Sequence, residues 1–138
     1  MPESVKNRPT NATEEIFLFA KSPKYYYNPQ GFRESSDANL RNYWILGPDS
    51  GAKGHPAAFP RELARRCMLL GSRENDVILD PFGGCGTTGV AAFELHRKAI
   101  LIELNPDYVK IGEDRTLDAK KNRIETIDFE LNAALFNT

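Results

Sequence analysis

The sequence predicts an α/β domain built on a parallel sheet, and three observations carry that expectation. Apolar runs at residues 77–79 and 99–103 alternate with helical stretches at 88–95 and from Asn105 onward, an order of strand, helix, strand, helix that implies parallel strands joined by right-handed crossovers. A glycine-rich turn, Gly83 to Gly89, joins the first of those strands to its helix. The 138 residues are 41% hydrophobic and 27% charged, an ordinary globular balance that excludes a disordered, collagen-like or disulfide-scaffold chain. A chain of this length buries roughly two-thirds of its unfolded surface without metal or disulfide staples.

Each element has a local cause. Residues 15–21 form a short apolar run ending before Ser22-Pro23, with the length and composition of a buried strand. From Lys24 to Gly54 periodicity stops, with Tyr25, Tyr26, Tyr27, Tyr43 and Trp44 scattered among polar residues and a short strand expected at 43–46. Residues 60–70 read as a helix: Pro60 suits its first turn, Leu63, Cys67 and Leu70 share one stripe, and Gly71 is placed as its stop. Asn105 and Pro106 have the pattern of a helix cap and first helical residue. The tail from Arg123 alternates weakly, as a final strand or helix.

Net charge is −1, unevenly spread: residues 1–75 carry 11 Lys/Arg against 8 Asp/Glu, and residues 76–138 carry 7 against 11. The surplus in the first half falls short of a nucleic-acid footprint. Arg61, Arg65, Arg66, Lys120 and Lys121 read first as solvated helix faces, and Tyr25 to Tyr27 with Trp44 as packing under a long loop, with DNA contact the alternative. No stretch approaches the ~18 uncharged apolar residues of a membrane span. Met1-Pro2-Glu3 opens no signal peptide, and a cytoplasmic chain is expected. Cys67 and Cys85 are expected as reduced thiols; with His55 and His96 they have no paired ligand spacing, and no metal is expected.

In Asp80-Pro81-Phe82-Gly83-Gly84-Cys85-Gly86-Thr87-Thr88-Gly89 the glycines let backbone approach a ligand, and the following helix offers free N–H groups and a positive dipole end. Glu103, fourteen residues beyond Gly89, ends the next strand, where a carboxylate accepts hydrogen bonds from ribose hydroxyls. Gly84, Gly86 and Gly89 also fit the dinucleotide spacing Gly-x-Gly-x-x-Gly, so an NAD-binding module is a rival. Asp80 separates the two: a carboxylate before the turn repels a diphosphate and attracts an ammonium group, which S-adenosylmethionine carries.

Residues 80–89 resemble the cofactor motif of the DNA amino-methyltransferases, the family that methylates the exocyclic amino group of adenine or cytosine. His55-Pro56-Ala57-Ala58-Phe59-Pro60 is similar to that family's second cofactor segment, and it too precedes a helix. Arg8-Pro9-Thr10 with Glu14, ahead of Ile16-Phe17-Leu18-Phe19-Ala20-Lys21-Ser22, resembles the segment before the variable target-recognition region. The three occur in the order of the permuted subclass called beta and cover residues 8 to about 115. Cys85 stands where the family more often has Ser or Thr, and Thr13-Glu14-Glu15 where His-Glu-Tyr is common.

The resemblance implies a Rossmann-like S-adenosylmethionine-dependent methyltransferase fold, here incomplete, whose parallel sheet includes one antiparallel strand. Residues 1–23 correspond to the segment before target recognition, 24–54 to a shortened target-recognition-like loop, and 55–138 to the S-adenosylmethionine-binding region. The implied cofactor site comprises His55, Pro56, Ala57, Phe59, Asp80, Phe82, Gly83, Gly84, Cys85, Gly86, Thr87 and Glu103; Phe59 is read either as lining that pocket or as a core aromatic. DNA is the implied partner.

The family's catalytic tetrapeptide, Ser/Asp/Asn-Pro-Pro-Tyr/Phe/Trp, is absent: the nine prolines include no adjacent pair. Asn105-Pro106-Asp107-Tyr108 resembles it superficially but reads as a cap. In the beta order the tetrapeptide lies upstream of Met1, on a strand between residues 15–21 and the strand ending at Asp80. The chain is therefore expected to be the C-terminal, cofactor-binding part of a methyltransferase. It has no catalytic residue of its own, is inactive alone, and works with an N-terminal methyltransferase half or as a homo-oligomer. A non-catalytic DNA- or cofactor-binding remnant is a further alternative.

Overall fold

A computed structural model describes residues 13–31, 41–47 and 59–136, with side chains to residue 122. Five elements follow one another: α1 (Arg61–Gly71), β1 (Val77–Asp80), α2 (Thr87–Glu94), β2 (Lys98–Leu101) and α3 (Pro106–Phe136). The strands pair in parallel, Val77 opposite Lys98 and Asp80 opposite Leu101, so both end on the same side of the sheet. This is the α/β order read from the sequence. No antiparallel strand occurs among the described residues.

The core is small and is built from small side chains. Ala91 and Ala92 of α2 are fully buried and meet Ala64 and Met68 of α1, with Ile78, Leu95 and Ala99 packed around them. Alanines let helix and sheet backbones approach closely, and the flexible thioether of Met68 fills what is left. The face that α1 buries is offset by one residue from the expected stripe: Leu63 and Leu70 are half-buried and Cys67 is exposed. Contact with α2 favours the small Ala64, and the larger apolar side chains are left to line a groove.

The end of α1 also departs from expectation. Gly71 is the last helical residue, and the chain leaves through Ser72 in extended conformation (φ −145°), not through a left-handed glycine. The Met68 carbonyl accepts from both the Ser72 N–H (2.9 Å) and the Ser72 hydroxyl (2.6 Å), so Ser72 closes the last turn with backbone and side chain together. Arg97, 9% exposed, donates to the Ser72 carbonyl (2.8 Å) and hydroxyl (3.2 Å) and to the Leu95 carbonyl, so it joins the ends of α1 and α2.

Residues 15–21, expected as a buried strand, pair with no strand and are exposed, from 56% at Ile16 to 87% at Phe19. The strand expected at 43–46 is likewise not formed, and Ile45 is 88% exposed. A strand exists only when a neighbour meets its backbone groups, and an apolar run supplies the propensity without the neighbour. The aromatic segments pack against α1 and the turn after it. The Arg73 guanidinium lies 4.4 Å from the Tyr26 ring centre, that of Arg66 lies 5.8 Å from the centre of Trp44, and Asn28 N–H donates to the Leu70 carbonyl.

The tail is helical. Asn105 Oδ1 accepts from the Asp107 amide at 2.9 Å and the Asn105 carbonyl accepts from Val109 N–H, which makes Asn105 the cap of α3 and Pro106 its first residue. From there one helix runs to Phe136, about 46 Å at 1.5 Å per residue, and its first turns lie against α2. No helix among the described residues is long and apolar enough to cross a membrane.

Candidate functional site

The site lies where the two parallel strands end, the side on which open α/β sheets bind ligands. The ladder continues past the strands, with Ile102 N–H donating to the Asp80 carbonyl and Gly83 N–H to the Ile102 carbonyl, which brings the glycine turn against the end of β2. A Cβ at Gly83 would lie 2.9 Å from the Leu101 Cβ, so only glycine fits this approach. Gly86 N–H donates to the Gly83 carbonyl and closes the turn, with Gly86 in the left-handed region at φ 77° as the residue before α2. Its α-carbon rests on Gly112 of α3: a Cβ added at Gly86 would lie 2.8 Å from the Gly112 Cα.

Two carboxylates flank the turn. Asp80 Oδ1 accepts from the Phe82 amide (3.0 Å) and Oδ2 from the Thr88 hydroxyl (2.6 Å), which orients the group at the strand end. Glu103 Oε2 accepts from the Gly84 amide and Oε1 from the Asn105 amide, each at 2.8 Å. These two bonds hold the Glu103 carboxylate in place at the end of β2, beside the turn.

The fold thus gathers Asp80, Gly83, Gly84, Cys85, Gly86, Thr87 and Glu103 around one turn. Gly84 is half-exposed at the rim, whereas Cys85 and Thr87 are buried (4% and 3% exposed) and present backbone, not side chains, to that rim. Phe82 is 86% exposed. Phe59 lines a groove of about 380 Å³ together with Leu63, Ala64, Cys67 and Met68 of α1, Ile78 to Asp80 of β1, and Thr88, so it shares that groove with Asp80. His55, Pro56 and Ala57 lie outside the described residues. Among the described residues, no three His, Cys, Asp or Glu side chains converge as a metal site.

Three residues of the site escaped the sequence reading. Thr88 orients Asp80, Gly112 receives Gly86, and Arg115 donates to the Cys85 carbonyl at 2.7 Å. An isolated glycine in a helical pattern signals close approach, so Gly112 carried a usable cue. Arg115 carried none, because 30 residues separate it from Cys85.

The described residues thus form a parallel α/β unit with a glycine turn between two strand-end carboxylates. The family model described as "DNA methylase", for N6 and N4 methyltransferases, matches residues 1–114, and the chain belongs to that family. It is 44% identical over 119 residues to the Type II methyltransferase M.Cfr9I of Citrobacter freundii, covering 83% of this chain and 40% of the relative. To M.SmaI of Serratia marcescens it is 44% identical over 122 residues, covering 84% and 42%. The chain therefore spans about two-fifths of the length of these relatives.

Among solved structures, the M1.HpyAVI–SAM complex superposes with a TM-score of 0.55 at 29% identity, over 67% of this chain and 43% of that one. The cytosine-N4-specific PvuII DNA methyltransferase superposes with a TM-score of 0.58 at 26% identity, over 65% and 35%. The fold expected from the sequence, a partial S-adenosylmethionine-dependent methyltransferase sheet, is the one these structures share.

Proposed function

We propose that this chain provides the S-adenosylmethionine site of a DNA methyltransferase acting on the exocyclic amino group of adenine or cytosine. The observation that carries this is the pair of carboxylates about one glycine turn: Glu103, fixed through Gly84, stands at the strand end where a ribose would lie, and Asp80 brings negative charge toward an ammonium group. A dinucleotide's diphosphate would meet Asp80 with like charge. When bound, the cofactor supplies an electrophilic methyl group on its sulfonium. The chain's residues would hold it there: the N-terminal end of α2 would face its carboxylate and Phe59 lines the groove beside it, and the family resemblance adds His55, Pro56 and Ala57.

Calorimetry tests the assignment. S-adenosylmethionine is expected to bind more tightly than NAD, and Glu103→Ala to weaken it by the loss of charge-assisted hydrogen bonds, about 1.5–3 kcal/mol, or roughly 10- to 150-fold. Tighter binding of NAD would overturn the cofactor assignment in favour of a dinucleotide module.

The chemistry on the base needs a further segment. A target base must leave the duplex stack to reach the methyl donor, and its amino nitrogen must then be held in line with the methyl group. The adjacent-proline tetrapeptide that does this in the family is not among the 138 residues. We read the chain as the C-terminal, cofactor-binding part, completed by an N-terminal methyltransferase half or by another copy of the chain, and acting on DNA in the cytoplasm. The two-stranded sheet supports this, since among the described residues β1 has a strand neighbour on one edge alone and its other edge would accept a further strand.

Cys67 reports on the groove between α1 and β1. Although its surface is open to solvent, partial desolvation along the groove pushes the Cys67 thiol pKa up, opposed to a lesser extent by a hydrogen bond with its own backbone. Its alkylation rate is expected to rise with a midpoint above ~8.5, the value of an ordinary thiol. An added N-terminal half carrying the tetrapeptide should slow the labelling; complex formation without protection of Cys67 would place that half elsewhere.

A further inference from the structure

We propose that Arg115, on α3, is a positioning residue of the cofactor turn, setting from below the peptide conformation with which the turn meets S-adenosylmethionine. The inference rests on the cofactor reading above. One guanidinium nitrogen of Arg115 donates to the Cys85 carbonyl (2.7 Å) and also reaches the Cys85 sulfur (2.8 Å) and the Thr87 hydroxyl (3.3 Å). The peptide unit joining Cys85 to Gly86 is thereby held at both ends, its carbonyl by Arg115 and its N–H by the Gly83 carbonyl.

That peptide unit is where the turn has most freedom. Gly86 adopts φ 77°, and glycine populates both signs of φ at little cost, so nothing intrinsic to residues 85–86 prevents the plane from rotating. A rotated plane would aim a carbonyl oxygen where an N–H now points and reverse the dipole that the turn presents. Arg115 removes this alternative. Two neighbours on α3 support the same contact: Gly112, one turn earlier, has no side chain to separate α3 from Gly86, and the Thr116 hydroxyl donates to the Gly112 carbonyl at 2.7 Å.

Helix stability alone does not favour this placement. Cations stabilise helix C-termini and oppose N-termini, and Arg115 brings a positive charge to the start of α2. The same charge becomes more favourable once a ligand's carboxylate lies across the turn, so the placement suits a cofactor with an anionic group.

The test compares the full 138-residue chain with Arg115→Met, which keeps most of the volume, and Arg115→Lys, which keeps the charge and one donor. Two readouts are used: S-adenosylmethionine affinity by calorimetry, and the glycine amide signals in nitrogen-15 correlation spectra. Arg115→Met is expected to weaken the cofactor at least tenfold and to shift the Gly84 and Gly86 amides while leaving that of Gly71 in place. Arg115→Lys should recover part of both.

A folded Arg115→Met chain with affinity within twofold of the parent, or with unshifted turn amides, would overturn the proposal. If Arg115→Met fails to fold, Arg115→Lys carries the test: intermediate affinity with shifted turn amides supports the role, and parent-like values in both readouts refute it. If the parent chain binds no S-adenosylmethionine, the cofactor reading fails, and the amide shifts still decide whether Arg115 governs the turn.

Discussion

A methyl-transfer assay on the 138-residue chain with S-adenosylmethionine and duplex DNA is expected to give no product above background. Holding the donor lowers no barrier by itself, since only interactions stronger in the transition state than in the ground state accelerate a reaction. Orientation of two reactants is commonly worth about 7 kcal/mol or more, a factor of ~10⁵, and that contribution belongs to groups that grip the amino nitrogen. In the proposed reading Asp80, Glu103 and the glycine turn serve the donor side alone. Asn105-Pro106-Asp107-Tyr108 is no substitute, because its Asn105 side chain and carbonyl are taken up in capping α3. Addition of a polypeptide carrying the adjacent-proline tetrapeptide should restore transfer when the two dock. Robust tritium transfer by the chain alone would mean that another group on it does the chemistry.

Gly86→Ala is expected to be the most damaging single substitution in the turn. The left-handed backbone at φ 77° costs a residue with a Cβ about 1–2 kcal/mol. The new Cβ would also lie 2.8 Å from the Gly112 Cα and 3.1 Å from its carbonyl oxygen, backbone atoms that move only if α3 moves, an overpacking worth about 1–3 kcal/mol more. Together these are a large share of the about 5–15 kcal/mol that stabilises a typical domain. The melting temperature should fall steeply, and any folded fraction should lose cofactor affinity because α3 and Arg115 are displaced. Gly71→Ala is the control: nothing lies within 4 Å of its added Cβ, and the last turn of α1 should gain up to about 1 kcal/mol. A Gly86→Ala chain that melts and binds like its parent would show that the turn tolerates other conformations.

What could be read without the fold was local. The run Val77 to Asp80, the turn, α2, β2 and the Asn105 cap each arise from residues within a few positions of one another: three apolar residues ahead of an aspartate, glycines where backbone must bend, and a side chain able to bond an amide two residues on. Asp80 and Glu103 could be assigned to one site from sequence because parallel strands joined by a helix must end side by side. The same local logic overreached at residues 15–21, where an apolar run was expected to be a strand and the structure gives it no neighbour.

The sequence by itself thus determined the order of elements from residue 60 onward, the family and the acidic pair about a glycine turn, since periodicity, turn chemistry and strand-end placement are properties of short stretches. Only the tertiary structure decided which face of α1 is buried, and that Gly112 and Arg115 of α3 support the turn from 26 and 30 residues away. Both depend on how closely two backbones approach. Ala64 wins the contact with α2 over Leu63 because Ala91 and Ala92 leave room for a small side chain. Arg115 reaches Cys85 because two glycines, Gly86 and Gly112, remove the side chains that would have held α3 away.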